Sequence, residues 1–157
     1  MATATETDAP ENLDEVAAED GGTDDDDVAP DPVPNNSLFF RLARLLFGAV
    51  LVYTGLTHFR QLEGYVQYAD AKGIPEAETM VPLSGGLLVS SGLGIAFWKL
   101  PKLAAGAAAT FLVVATPTMH DFWNADEESK QTETNAFLKN VAMLGGALAF
   151  LVRAGER

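Results

Sequence analysis

The sequence contains no cysteine, only two histidines and, in its first 36 residues, no lysine or arginine. The first absence excludes disulfides, a CxxC redox pair, a thiolate zinc site and a cysteine nucleophile, so any redox role has to draw on a bound cofactor or a partner protein. Positive charge is also scarce, with 10 Lys+Arg against 22 Asp+Glu and a net charge of −12. With no basic stripe to neutralise phosphates, nucleic acid is not an expected partner. A nucleophile elbow, a phosphate-cradling glycine loop and a closely spaced metal motif are missing too. Gly92-Leu93-Gly94 lies inside an apolar run and lacks the third glycine of a dinucleotide fingerprint.

What is present is divided sharply. Residues 1–36 hold twelve of the acids, among them the run Asp24 to Asp27, together with Thr, Gly and Pro. That composition carries too little apolar surface to offset the entropy of ordering, and it predicts a disordered, solvated acidic tail. It has no basic region leading into an apolar run, so a cleaved signal peptide is not expected and the first apolar segment is read as an anchor. The remainder is charge-balanced and rich in Leu, Ala, Val, Phe and Gly, which is why the mean hydropathy of +0.09 for the whole chain misleads.

A bilayer core of about 30 Å asks for about 20 mostly apolar helical residues, and four segments meet that demand: 38–59, 79–98, 103–120 and 135–152. The predicted fold is therefore all-α, an integral membrane four-helix bundle over residues 37–153 behind the tail. An even number of spans puts both termini on one side. Arg41, Arg44, Lys99, Lys102, Arg153 and Arg157 fall on that side, against Arg60, Lys72, Lys130 and Lys139 on the other. The excess of positive charge predicts cytoplasmic termini in a multi-pass protein of the cell membrane.

Between the first two spans, Leu62, Tyr65, Val66 and Ala69 recur at i, i+3, i+4 and i+7 before Gly73, the pattern of a short interfacial helix with a glycine stop. Small residues four apart, Gly86, Ser90 and Gly94 in the second span with Gly146 in the fourth, are read as helix-packing positions. Packing within the bundle is the first reading and a homodimer contact the second. Pro117 deprives the carbonyl of Val113 of its donor and is expected to loosen the end of the third span.

Spans one and three run in the same direction, so His58 and His120 are expected at similar depth on the outer side. Asp121, Trp123, Lys139 and Asn140 lie near them by connectivity, and polar groups at a membrane boundary often mark a pocket. Three readings stand: an interfacial anchor with satisfied hydrogen bonds; a pocket for a quinone-like head group, with imidazole or ammonium bonding carbonyl oxygens and Trp123 stacking; and a metal or bis-histidine haem site. Two histidines without a further ligand set argue weakly for the last, and no catalytic residue is assigned. A transporter is not favoured by four short spans without an internal repeat.

The ordered motifs Arg44-Leu-Leu-Phe-Gly48, Gly55-Leu-Thr-His-Phe59, Gly73-Ile-Pro75, Ala115-Thr-Pro-Thr-Met-His-Asp-Phe-Trp123 and Phe137-Leu-Lys-Asn-Val-Ala-Met-Leu-Gly-Gly-Ala147 resemble the DoxX family of four-span membrane proteins. The acidic tail lies outside that pattern and resembles haloarchaeal proteins. The resemblance implies a membrane bundle loosely associated with redox chemistry, since relatives include a subunit of a thiosulfate:quinone oxidoreductase. It thus implies a quinone-linked subunit beside an oxidoreductase partner, with a non-enzymatic membrane scaffold or assembly factor as the alternative.

Overall fold

A computed structural model describes Pro34 and residues 36–156. Apart from Pro34 and Asn36, the acidic tail expected to be disordered lies outside the described residues.

Five helices follow in order: α1 Leu38–Arg60, α2 Leu62–Ala71, α3 Ala77–Ala96, α4 Pro101–Met119 and α5 Lys130–Gly155, with no strand among the described residues. All but α2 are long and apolar enough to cross a membrane. Local chemistry sets several boundaries. Ser37 caps α1, its hydroxyl accepting from the amide of Phe40 at 3.2 Å. Gly73, at φ +76°, stops α2 as the sequence pattern predicts. The amides of Ile74 and Gly73 then bond the carbonyls of Ala69 and Asp70, a Schellman arrangement in which Ile74 also packs near Ala69. Pro101 opens α4, where its missing N–H is of no consequence.

Pro117 does not end α4, which runs on to Met119. Beside the freed carbonyl of Val113, the Thr118 hydroxyl donates to the Val114 carbonyl at 2.7 Å. Farther on, α5 begins at Lys130, five residues before the apolar run that predicts it. Its first turns are polar and stand beyond the apolar stretch.

The spanning helices pack in the order α1, α3, α4, α5. In lipid there is no hydrophobic drive between helices, so close backbone approach and dispersion have to hold them. Gly48 meets Gly92 and Gly55 meets Gly85, so that a Cβ on any of the four would lie within 3.0 Å of a partner backbone atom or side chain. On α4, Ala104, Ala105, Ala108 and Ala109 are buried around Leu51, Leu88, Ile95 and Leu112. The ring of Phe47 lies over Gly146 and 5.3 Å from that of Phe150, which joins α1 to α5 and closes the bundle.

At the end that carries the start of α1, the end of α5 and the α3–α4 turn, Phe40, Trp98 and Phe150 pack edge to face, with Phe40 and Trp98 centroids 4.9 Å apart. The Arg44 guanidinium lies 5.3 Å from the Trp98 ring centre, a cation–π contact. The opposite end carries α2 and the α4–α5 loop, and there the polar residues gather.

Candidate functional site

The close approach of Gly55 to Gly85 brings α1 against α3 one turn before α1 ends, and this presses His58 onto Ser84. His58 is 8 % exposed. Its Nδ1 lies 3.0 Å from Ser84 Oγ, and the Ser84 hydroxyl lies 2.8 Å from the Val81 carbonyl. A hydroxyl has one proton to give. While Ser84 donates to Val81, Nδ1 of His58 must carry the proton and donate to Ser84, leaving Nε2 as an acceptor. In the other tautomer the proton is on Nε2, which is then a donor, and Nδ1 is free to accept from the Ser84 hydroxyl. The ring of Tyr65, from α2, covers the imidazole at 4.5 Å between centroids and a tilt of 45°. Tyr65 is held in turn: Thr57 donates to the Thr54 carbonyl at 2.6 Å, so the Tyr65 hydroxyl, 3.0 Å away, donates to Thr57.

One turn along α2 a second cluster begins. The Tyr68 hydroxyl reaches both the Met119 carbonyl, at 2.6 Å, and Glu133 Oε1, at 3.1 Å. The other oxygen of Glu133 lies 2.9 Å from His120 Nδ1. Lys72 forms an ion pair with Asp121, and Asn124 donates to the far oxygen of Asp121 at 3.2 Å. The hydrogen bond from Lys72 holds the Asp121 carboxyl below its usual range, with Asn124 adding to the effect, and the same bond raises the Lys72 ammonium. Burial raises the Tyr68 phenol first, and the neighbouring Glu133 carboxylate pushes it the same way.

His120 and Asp121 thus share one network with Tyr68, Lys72 and Glu133, while His58 sits in the α1–α3 cleft with Ser84. The two histidines keep separate partners, and Tyr65 and Tyr68 of one helix face link them. Trp123 is half exposed and packs edge-on against Phe122 and Phe137. Lys139 is exposed and Asn140 half-buried, and neither side chain joins the network. Of the packing positions, Gly94 meets Ala104 and Gly146 meets Phe47, whereas Gly86 faces open space and Ser90 is exposed. The α1–α3 contact runs instead through Gly85 and Gly92. The two grooves with resolved linings lie on the α3–α4 flank and at the start of α4, away from both histidines.

Sequence reasoning did not nominate Ser84, Tyr65, Tyr68, Lys72 or Glu133 as site residues. The two tyrosines were visible as interfacial aromatics at i and i+3, which is the spacing that lets one helix face touch both clusters. Glu133 carried no comparable signal, because it becomes a site residue only if the helix starts before the apolar run.

A family model described as DoxX matches residues 39–121, a little over half of the chain. The match runs from the start of α1 through His120 and Asp121 and leaves α5 outside. No curated protein and no solved structure matches the chain.

Proposed function

This chain belongs to the DoxX family, and on that premise we propose that it is a quinone-linked membrane subunit that holds a quinone head group against His58 while a partner oxidoreductase supplies or removes the electrons. The observation that carries this reading is the buried His58–Ser84 pair in a membrane-spanning helix, where ionisable groups are costly to keep without a use.

The residues suit the chemistry. A quinone carbonyl asks for a hydrogen-bond donor, and a quinol hydroxyl asks for an acceptor. Ser84 suits either tautomer of His58, donating to Val81 when Nδ1 carries the proton and to Nδ1 when Nε2 carries it, so Nε2 can present an acceptor or a donor without movement of the ring. Tyr65 fixes the imidazole plane from one side. With no cysteine in the chain, a thiol couple has to come from the partner. The charge count along the sequence supports cytoplasmic termini in the cell membrane, which sets His58 in the outer half.

A second reading, a membrane scaffold or assembly factor, is favoured by the pairing of Lys72 with Asp121 and of His120 with Glu133. In that reading these groups satisfy one another and serve to fasten α2.

The deciding experiment is extraction and mass-spectrometric identification of quinone from protein purified in mild detergent, for the native chain and for His58→Gln. The quinone reading expects bound quinone on the native chain and at least about a tenfold loss in the variant, at unchanged helix content. Quinone absent from the native chain, or retained equally by His58→Gln, overturns it in favour of the scaffold.

A further inference from the structure

We propose that the groove between α3 and α4 seats one acyl chain of an anionic phospholipid, with the lipid phosphate held at Lys102. The groove is shallow and open along its length, with Leu87 of α3 on one side and Leu103, Gly106, Ala107, Phe111 and Val114 of α4 forming most of its wall, and Lys102 at its terminal end. It is a hollow in the lipid-facing flank of two membrane-spanning helices. From Lys102 to Val114 the helix rises about 18 Å at 1.5 Å per residue, against about 15 Å for half of a 30 Å hydrocarbon core. The groove is therefore about one leaflet long, the reach of a single acyl chain.

Charge selects the head group. Lys102 is exposed and has no carboxylate within ion-pair range among the described residues. Lys99 in the preceding turn adds charge of the same sign. A second hollow, lined by Leu100, Pro101, Lys102, Leu103 and Ala154, shares Lys102 and Leu103 with the groove, so Lys102 stands where chain gives way to head group. The first turn of α4 starts there without a capping side chain, which adds the positive end of the helix dipole to the ammonium. A second copy of the chain is disfavoured as occupant. A two-fold axis along the membrane normal would set two Lys102 ammonium groups against each other, whereas an anionic lipid neutralises the charge.

The full chain is delipidated in detergent and titrated with phosphatidylglycerol or phosphatidylcholine of identical acyl chains, and retained lipid is counted by native mass spectrometry. The expected result is one phosphatidylglycerol per chain at about tenfold or more over phosphatidylcholine, not displaced by excess inorganic phosphate. Lys102→Glu and Thr110→Phe, an exposed position on the groove wall, each lower retention about tenfold. Lys130→Glu, at the far end of the bundle, leaves it unchanged, and all variants keep native helix content. Equal retention of the two lipids, undiminished retention in Lys102→Glu, or displacement by phosphate overturns the proposal. A two-chain mass abolished by Thr110→Phe also overturns it and assigns the groove to a dimer.

Discussion

Gly48 and Gly92 face each other across the α1–α3 contact so closely that a Cβ on Gly48 would lie 2.5 Å from the Gly92 carbonyl oxygen, and one on Gly92 2.6 Å from that of Gly48. Seven residues on, Gly55 and Gly85 repeat the relationship, each lying within 2.6 to 3.0 Å of the other's carbonyl oxygen by the same measure. Gly48→Ala and Gly92→Ala must therefore push two backbones apart, and overpacking of this kind costs about 1–3 kcal/mol. Gly86→Ala meets nothing within 4 Å and is expected to be neutral or slightly stabilising, since alanine favours a helix. Denaturant unfolding in detergent micelles, followed by helix content, separates the two classes. Equal effects at 48 and 86 would show that the α1–α3 contact is not made through glycine.

The four apolar runs and the α2 pattern could be read from sequence because span length and a 3.6-residue period are properties of one segment at a time. The packing face was less legible. Small residues four apart pick out Gly86, Ser90 and Gly94, whereas the helices meet through glycines seven apart, 48 with 55 and 85 with 92. That shared spacing was present in the sequence, but it becomes a signal only when two helices are compared and found to carry the same one.

Tyr68 joins α2 to both α4 and α5, through the Met119 carbonyl and Glu133. Tyr68→Phe keeps the ring and removes both bonds. A net hydrogen bond contributes about 0.5–1.5 kcal/mol, so local opening of α2 should become several-fold to about tenfold more frequent. Amide hydrogen exchange of residues 62–71 reads this directly, with the spanning helices as internal reference. Unchanged exchange in α2 would mean that the apolar contacts of Ala69 with Ala77 and Val81 hold it unaided.

The Lys72–Asp121 pair gives that attachment a pH range. Asp121 is held below its usual value of 3.8, so its contribution is complete above that value and is lost as pH falls through the lower folded value. Lys72 is raised above 10.5, so its contribution is complete below that and is lost as pH rises through the higher folded value. Tyr68, raised from 10.0, weakens in the same alkaline direction. Protection of α2, corrected for intrinsic exchange rates, should be flat between about pH 4 and 10 and fall outside that window. In Asp121→Asn the acid limb should flatten. An acid limb that persists in Asp121→Asn would assign it to another carboxylate.

The site was half legible. His58 and His120 stand out as the only histidines, and spans of equal direction place them at one end. Their partners were hidden for two different reasons. Ser84 is an ordinary polar residue in an apolar run, and it matters only because the Gly55–Gly85 contact sets it against His58. Glu133 sits five residues after Glu128 in a stretch that reads as loop until α5 is seen to begin at Lys130.

Membrane orientation can be tested cleanly because the chain has no native thiol. A cysteine at exposed Glu128 in the α4–α5 loop, and another at exposed Lys99 in the α3–α4 turn, report opposite sides. With cytoplasmic termini, Glu128→Cys is labelled by a membrane-impermeant maleimide in intact cells, and Lys99→Cys only after the membrane is opened. The reverse pattern would place the termini outside and His58 near the inner face.

Ser84→Ala isolates the proton switch proposed for His58. The substitution removes the hydroxyl placed between Val81 and His58 Nδ1 while leaving the tilted Tyr65 contact and the Gly55–Gly85 contact in place. Without Ser84 the imidazole loses the partner that orders its tautomers, so quinone should be held more weakly, by about the tenfold that 1.4 kcal/mol represents. Ser84→Thr retains a hydroxyl and should restore most of the binding. A merely structural role for Ser84 predicts a different result, with quinone retention following stability across Ala and Thr variants alike. The two are told apart by measuring retained quinone and the unfolding midpoint on the same preparations. Loss of quinone in Ser84→Ala at an unchanged midpoint supports the switch, and parallel loss of both removes it.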